Sequence, residues 1–239
     1  MAKCFGINKK WPTLFAAMLV AAVMAGCSDN NNAQNKRGAK SKQDHNIIKK
    51  DGRVHFMLGD REFDVPAGNF KGGGETGGGQ LVQVTLWGLL PNFEGYDKAK
   101  NHAKFVGPRQ ERGSDARIEL YRRGDRITVP EMVSRRNKMK GNSPFSGRLG
   151  KYDELRYGLE YYRSDNRGGD IYLYIKDGEP EILIRCPTEI ILKDTPFPSC
   201  NYYWDISEGA SYEMRYSMDY LPQWREIWTN AKRLLNVVE

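Results

Sequence analysis

The sequence predicts an α+β protein: a mostly antiparallel β-sheet of meanders and hairpins, with a C-terminal amphipathic helix packed on it. Three observations predict it. Short apolar–polar alternations bounded by turn residues recur from Ile47 to Met218. Tyrosines, good strand formers, crowd the stretch from Tyr157 to Tyr216. From Pro222 the apolar spacing switches to the threes and fours of a helix.

The elements follow in order. Val54, Phe56 and Leu58 alternate with His55 and Met57. Gly59-Asp60 turns, and Phe63 and Val65 resume the alternation. Ile47–Val65 therefore reads as a hairpin that Pro66, Gly68 and Asn69 end, and His55 is a strand residue. Lys71–Gln80 reads KGGGETGGGQ. It lacks the GxxxxGK[ST] spacing and precedes a strand rather than a helix, so it is no phosphate cradle. It reads as a hairpin loop, with Lys71, Glu75 and Thr76 as candidate partner contacts. Gln80–Leu90 is almost unbroken in β formers, as in a central strand, and Pro91-Asn92 stop it. Phe93–Lys104 is polar, with room for a short helix docked by Tyr96 and Phe105.

Arg117–Arg123 alternates, with Ile118 and Leu120 on one face. Gly124-Asp125 turns, and Ile127-Thr128-Val129 reads as a strand pairing back. Pro130–Gly150 is basic and loop-like. Arg135, Arg136 and Lys138 are its candidate partner contacts, and a subdomain boundary, if there is one, falls in 130–150. Leu155–Arg163 reads as one strand and Asp170–Lys176 as the next. Asp177-Gly178 is a strong hairpin signal. Glu181–Cys186 returns, Cys200–Ile206 follows, Glu208-Gly209 turns, and Tyr212–Met218 ends the meander. The tyrosines read as core; a partly exposed face suited to binding is the alternative. In the helix from Pro222 to about Val237, Trp224, Ile227, Trp228, Ala231, Leu234, Leu235 and Val238 share one stripe. Glu226 lies early and Lys232-Arg233 late, which suits the helix dipole.

The first 46 residues read differently. Lys3, Lys9 and Lys10 precede LFAAMLVAAVMAGC, Leu14–Cys27. A basic start, a short apolar run and small residues before a cut site predict a secretory signal peptide. The run is shorter than the roughly 20 residues a membrane span needs. Its end, Met24-Ala25-Gly26-Cys27, resembles the lipobox of bacterial lipoproteins. That resemblance implies cleavage before Cys27 and lipidation of Cys27. Ser28 follows rather than Asp, which by the same resemblance implies the outer membrane, facing the periplasm. Residues 28–46 have almost no large apolar side chains and read as a disordered tether. The chain thus divides into a signal peptide (1–26), a lipidated cysteine and tether (27–46), and a β-rich domain (47–239).

Charge and cysteines bound the chemistry. The formal net charge is +7, but three lysines leave with the signal and other basic residues sit in the tether. The domain is near balance, which leaves no nucleic-acid footprint. Cys4 leaves with the signal, so Cys186 and Cys200 remain. In an oxidising periplasm they pair, closing a loop of about 15 residues that stabilises by roughly 3 kcal/mol in the chain-entropy model. The alternatives, free thiols or half a metal site, find no His or Cys-x-x-Cys nearby. No GxSxG or HExxH occurs. The sequence predicts no catalytic residue, metal, cofactor or small-molecule substrate. A deep polar pocket at His102 or Ser146 would reopen an enzymatic reading.

Several stretches together carry a family resemblance: REFDVPAGNF (Arg61–Phe70), LLPNFEGYD (Leu89–Asp97), IRCPTE (Ile184–Glu189), PFPSC (Pro196–Cys200) and YEMRYSMDYLPQWREIWTNAKRLL (Tyr212–Leu235). They resemble the periplasmic immunity lipoproteins encoded beside antibacterial effectors of type VI secretion, often lipases or phospholipases. The resemblance implies an anchored protein that meets an incoming toxin and blocks its active site or its access to lipid. Its partners would be a toxic effector and, through the anchor, the membrane. The alternative is a structural or assembly lipoprotein that docks onto an envelope complex.

Overall fold

The computed structural model describes residues 47–75, 81–108, 113–124, 126–138, 151–164, 168–192 and 195–237. The signal peptide, Cys27, the tether, Thr76 and Ser146 lie outside the described residues, as do the side chains of Glu75 and Lys138.

The predicted hairpin forms from Arg53 to Pro66, and a turn at Asp51-Gly52, both at positive φ, adds a third strand before it. β1 (Ile47–Lys50), β2 (Arg53–Leu58) and β3 (Arg61–Pro66) form a three-stranded antiparallel sheet. Val54, Phe56, Leu58, Phe63 and Val65 are buried while Arg53 and Met57 face out. Phe56 and Phe63 are register partners whose rings stack 5.3 Å apart.

Two antiparallel meanders make the larger sheet. The first is β4 (Phe70–Glu75), β5 (Leu81–Leu89) and β6 (Asp115–Arg122). The second is β7 (Lys151–Arg156), β8 (Leu159–Arg163), β9 (Asp170–Lys176), β10 (Glu179–Cys186), β11 (Ser199–Asp205) and β12 (Ala210–Ser217). β12 pairs with β6, so nine strands run in the order β4-β5-β6-β12-β11-β10-β9-β8-β7, every neighbour antiparallel. Helices α1 (His102–Val106), α2 (Val129–Lys138), α3 (Glu189–Leu192) and α4 (Trp224–Leu234) lie between and after the strands.

One face of the large sheet carries the main core. Ile118, Leu120, Met214, Tyr212, Tyr202, Ile184, Tyr172 and Tyr161 are buried beneath the small sheet and α4. Trp224, Ile227, Ala231 and Leu235 supply the buried stripe of the C-terminal helix. Trp224 donates from Nε1 to the Tyr157 carbonyl at 2.9 Å, and its ring lies 5.3 Å from Tyr174. The tyrosines are therefore mostly core, with Tyr152 and Tyr157 exposed. The small sheet is also held at a turn, where Ser207 Oγ donates to Asp60 Oδ1 at 2.8 Å.

Four expectations need correction. Lys71–Glu75 forms edge strand β4 rather than a loop, because the ladder of the long β5 outweighs the weak strand propensity of its glycines. Leu155–Arg163 is not one strand: it turns at Tyr157-Gly158 between β7 and β8. Both turn residues have positive φ, 56° and 75°, as at Asp177-Gly178. Ile127–Val129 does not pair back, and the start of the basic segment is not a loop. Val129–Lys138 is helix α2, opened by a capping box: Thr128 Oγ1 accepts from the Glu131 amide at 3.2 Å, and the Thr128 amide donates to Glu131 Oε2 at 2.9 Å. At the C-terminus, Pro222 sits in a 3-10 turn, Met218–Gln223, that leads into α4.

A candidate partner-binding face

The second face of the large sheet is built by the polar phase of the same alternations. Register sets Arg117 across from Arg215, Arg215 across from Asn201, and Asn201 across from Arg185. One step along, Glu119, Glu213 and Tyr203 form the next row. Side chains alternate between faces along a strand, so all of these point away from the main core.

The two ends of this face are covered. At one end α2 packs Val129 onto Ile171, Leu173 and Leu183, with Met132 and Val133 beside them. The Val129 amide also donates to Asp205 Oδ2 at 2.8 Å. At the other end Trp87 packs edge-on to Phe105, 5.3 Å away, and stacks with Tyr96. The middle stays open and forms a groove. A cavity of about 650 Å³ lies between α2 and strands β10 and β11, with Pro187 and Ile191 beside them. A second, of about 540 Å³, shares Arg185, Pro187, Ser199 and Asn201 with it and runs on to Arg117 and Arg215.

The groove is rich in positive charge. Arg117, Arg126, Arg135, Arg136, Arg185 and Arg215 line the two cavities, against Glu119 and Glu213. Both glutamates are engaged. Glu119 pairs with Arg117 and accepts from the Tyr121 hydroxyl. Burial and that bond push the Tyr121 hydroxyl up to about 12. Glu213 lies 3.2 Å from Arg126, whose guanidinium stacks over Tyr121. Burial raises the Glu213 carboxyl above the usual carboxylate range. Burial first, and then the charge of Arg185, hold the Arg136 guanidinium below its ordinary value. Arg215 donates to the neutral Ser199 Oγ at 2.9 Å.

The disulfide predicted between Cys186 and Cys200 is present, with both residues buried. It ties β10 to β11 one residue beyond the Arg185–Asn201 pair, so it fixes the groove floor.

Of the predicted contacts, Arg135 and Arg136 lie on the groove wall. Lys71 lies at the far end of the same face, its ammonium 4.1 Å above the Trp87 ring. His102 accepts or donates at Nδ1 to the Tyr96 hydroxyl, 2.8 Å away, and lines neither cavity. His55 faces its register partner Asp64 at 3.4 Å. Among the described residues no group of three or more His, Cys, Asp or Glu side chains could hold a metal.

Smlt3025, an immunity protein of the Stenotrophomonas maltophilia type IV secretion system, has a similar fold. The TM-score is 0.58 at 17% sequence identity, over 80% of this chain and 97% of that chain. At that identity the likeness is one of fold. No protein-family profile matches the chain, and no curated protein does.

Arg117, Arg185, Arg215 and Asn201 were missed as sequence candidates. Their signal is the polar phase of the alternating strands, where no candidate contact was placed. Thr128-Val129-Pro130-Glu131 carried a capping-box signal that would have placed α2, and with it Arg135 and Arg136, on a helix.

Proposed function

We propose that this chain is an immunity protein: a lipoprotein anchored in the outer membrane, facing the periplasm, that binds and neutralises an antibacterial toxin. The observation that carries this reading is the fold it shares with an immunity protein over 97% of that protein's length. The sequence resemblance supports it separately, through stretches spread over most of the domain. The resemblance implies a type VI effector of the lipase or phospholipase kind, whereas the structural neighbour serves a type IV system. The type VI lipase is the finer proposal, and the captured toxin decides it.

The mechanism is binding rather than turnover. A rigid, disulfide-tied sheet face meets the toxin and occludes it, in one-to-one stoichiometry. Acyl chains on Cys27, each buried CH₂ contributing roughly 0.8 kcal/mol, would hold the inhibitor at the surface where a lipid-attacking toxin works.

The test is a pull-down with the mature chain against lysates expressing the neighbouring gene products. A stoichiometric partner that kills cells when sent to the periplasm, and spares cells making this protein, is the expected result. Recovery of envelope scaffold proteins alone, or of nothing, would overturn the reading in favour of a structural lipoprotein. A soluble version beginning after Cys27 should bind equally and protect less. Full protection by it would remove the anchor from the mechanism.

A further inference from the structure

We propose that the outer edge of β7 is a strand-docking site: an extended strand of the toxin pairs with Lys151–Arg156 and continues the large sheet. That the occupant is a toxin rests on the immunity reading; the edge rests on the strand order and on what β7 exposes.

The backbone is the first argument. β7 ends the large sheet, and among the described residues it pairs with β8 alone. Its outer row of N–H and C=O groups is a template for another extended chain, about 20 Å long for six residues. β4, at the opposite edge, has glycine at 72, 73 and 74, so its middle offers no side chains by which to choose a partner.

Exposed apolar surface is the second. Tyr152 and Leu155 are 50% and 66% exposed. A bulge between Tyr152 and Glu154 lets these two residues, three apart, share the face opposite the main core, with Tyr162 and Glu160 as their register partners. The Tyr152 ring lies 5.7 Å from that of Tyr162, which packs against the cluster beneath α2. Apolar surface therefore runs from α2 out to the sheet edge, on the same face as the groove and on the other side of the helix. In strand addition the main-chain bonds supply affinity, and side-chain pairs such as these select the partner.

Charge is the third, and it selects a foreign strand over a second copy of this chain. Glu154 and Arg156 pair with each other, and the Arg156 guanidinium lies 3.9 Å from the Tyr161 ring centre. Lys151 and Asp153 are exposed. A second copy, antiparallel in the register that overlaps all of β7, would set Lys151 against Arg156 and Asp153 against Glu154, like charge against like at every charged position. The edge thus disfavours its own copy, as exposed edges of soluble proteins commonly do. The strand it fits carries an acid opposite Lys151, a base opposite Asp153 and apolar residues opposite Tyr152 and Leu155.

The experiment compares the wild-type mature chain with Tyr152→Ser/Leu155→Ser. The control is Ile48→Ser/Met57→Ser, which removes exposed apolar side chains from the small sheet. Melting curves establish that each variant folds. If the β7 variant does not, Leu155→Asn replaces it, with an expected loss of about fivefold. Binding to the captured toxin should fall at least about 30-fold in the β7 variant and less than about threefold in the control. In the wild-type complex, hydrogen exchange should slow at the amides of β7 that do not face β8 and stay unchanged in α1. Equal binding by wild type and β7 variant, or unprotected β7 amides in the complex, would overturn the docking edge and leave the immunity reading standing. A dimer of the mature chain that sedimentation detects and the β7 variant loses would overturn it in favour of a second copy.

A second probe does not depend on the toxin. A cyclic hairpin peptide carries Thr-Val-Thr-Lys-Val-Glu along its free edge. Paired antiparallel to β7, it places Glu opposite Lys151, Lys opposite Asp153 and Val opposite Tyr152 and Leu155. It should bind the wild type and protect the same amides. Binding should weaken at least about tenfold in the β7 variant, and by a similar factor when the Lys and Glu of the peptide are exchanged. Proline in place of both valines should abolish it. If the wild type captures no toxin, the immunity reading fails, and this peptide alone decides the edge. Absence of peptide binding, or equal binding of the proline peptide, overturns it.

Discussion

Gly209 tests how the small sheet is attached to the large one. It sits in the β11–β12 turn, against the Gly59-Asp60 turn of β2–β3. A Cβ at Gly209 would lie 2.1 Å from Asp60 Oδ1 and 2.6 Å from the Asp60 backbone nitrogen. The carboxylate can swing aside, at the loss of its hydrogen bond from Ser207. The backbone cannot, so the two turns must part by about 0.8 Å to reach ordinary contact. Overpacking of this kind costs about 1–3 kcal/mol, and the lost charge-assisted hydrogen bond adds roughly 1 kcal/mol. Gly209→Ala should therefore destabilise by about 3 kcal/mol and lower the melting temperature by about 6–12 °C for a domain of this size. Gly72→Ala is the control. It has nothing within 4 Å of the added methyl and no positive φ, so it should melt close to wild type. Thermal melts followed by near-UV circular dichroism read both. If Gly209→Ala melted with Gly72→Ala, the turn-on-turn contact would not hold the sheets together and the reasoning would fail.

Other perturbations have equally definite expected outcomes. The Tyr216 hydroxyl is buried without a partner among the described residues, so Tyr216→Phe should melt at or above wild type; a clear drop would show a hidden bond. Replacing Cys186 and Cys200 by alanine should cost about 3 kcal/mol in urea unfolding, and reductant should match it in the unsubstituted protein. Thr128→Ala removes the cap of α2 and should cost about 1 kcal/mol, with faster hydrogen exchange confined to that helix. Glu213 has a folded-state pKa above its unfolded value of 4.5, chiefly through burial. Its ionisation therefore opposes folding: the cost is absent below pH 4.5, grows as pH rises through the folded pKa, and is full above it. Glu213→Gln should gain stability relative to wild type as pH rises from 4 to 7. A pH-independent difference between the two melts would count against this assignment.

Much of the fold is legible in the sequence, because period-2 burial is a local code. Val54, Phe56, Leu58, Ile118 and Leu120 announce their strands and their buried face together. The C-terminal stripe from Trp224 to Leu235 does the same for α4. What failed locally failed for identifiable reasons. Tyr157-Gly158 lacks the Asn or Asp that usually marks a two-residue turn. The glycines of β4 hide a strand whose pairing comes from β5. Helix α2 has a short apolar face, Val129, Met132 and Val133, inside a run of basic residues that dominates its appearance.

The binding face was harder to read, and the difficulty is physical. Arg117, Asn201, Arg185 and Arg215 lie far apart in sequence and come together only through the β6–β12 pairing, which joins two separate meanders. On an isolated strand each looks like an ordinary solvated residue. They line a candidate groove because α2 stands on one side and Pro187, Ile191, Thr195 and Phe197 on the other, so a flat polar face turns concave. Arg135 and Arg136 were legible as candidates from charge alone, but no local signal links them to Arg185, which lines the same cavity. The capping box at Thr128 and the disulfide at Cys186 are thus more than stabilising devices. One sets the wall and the other fixes the floor of the same groove, and loss of either should weaken partner binding beyond its effect on folding.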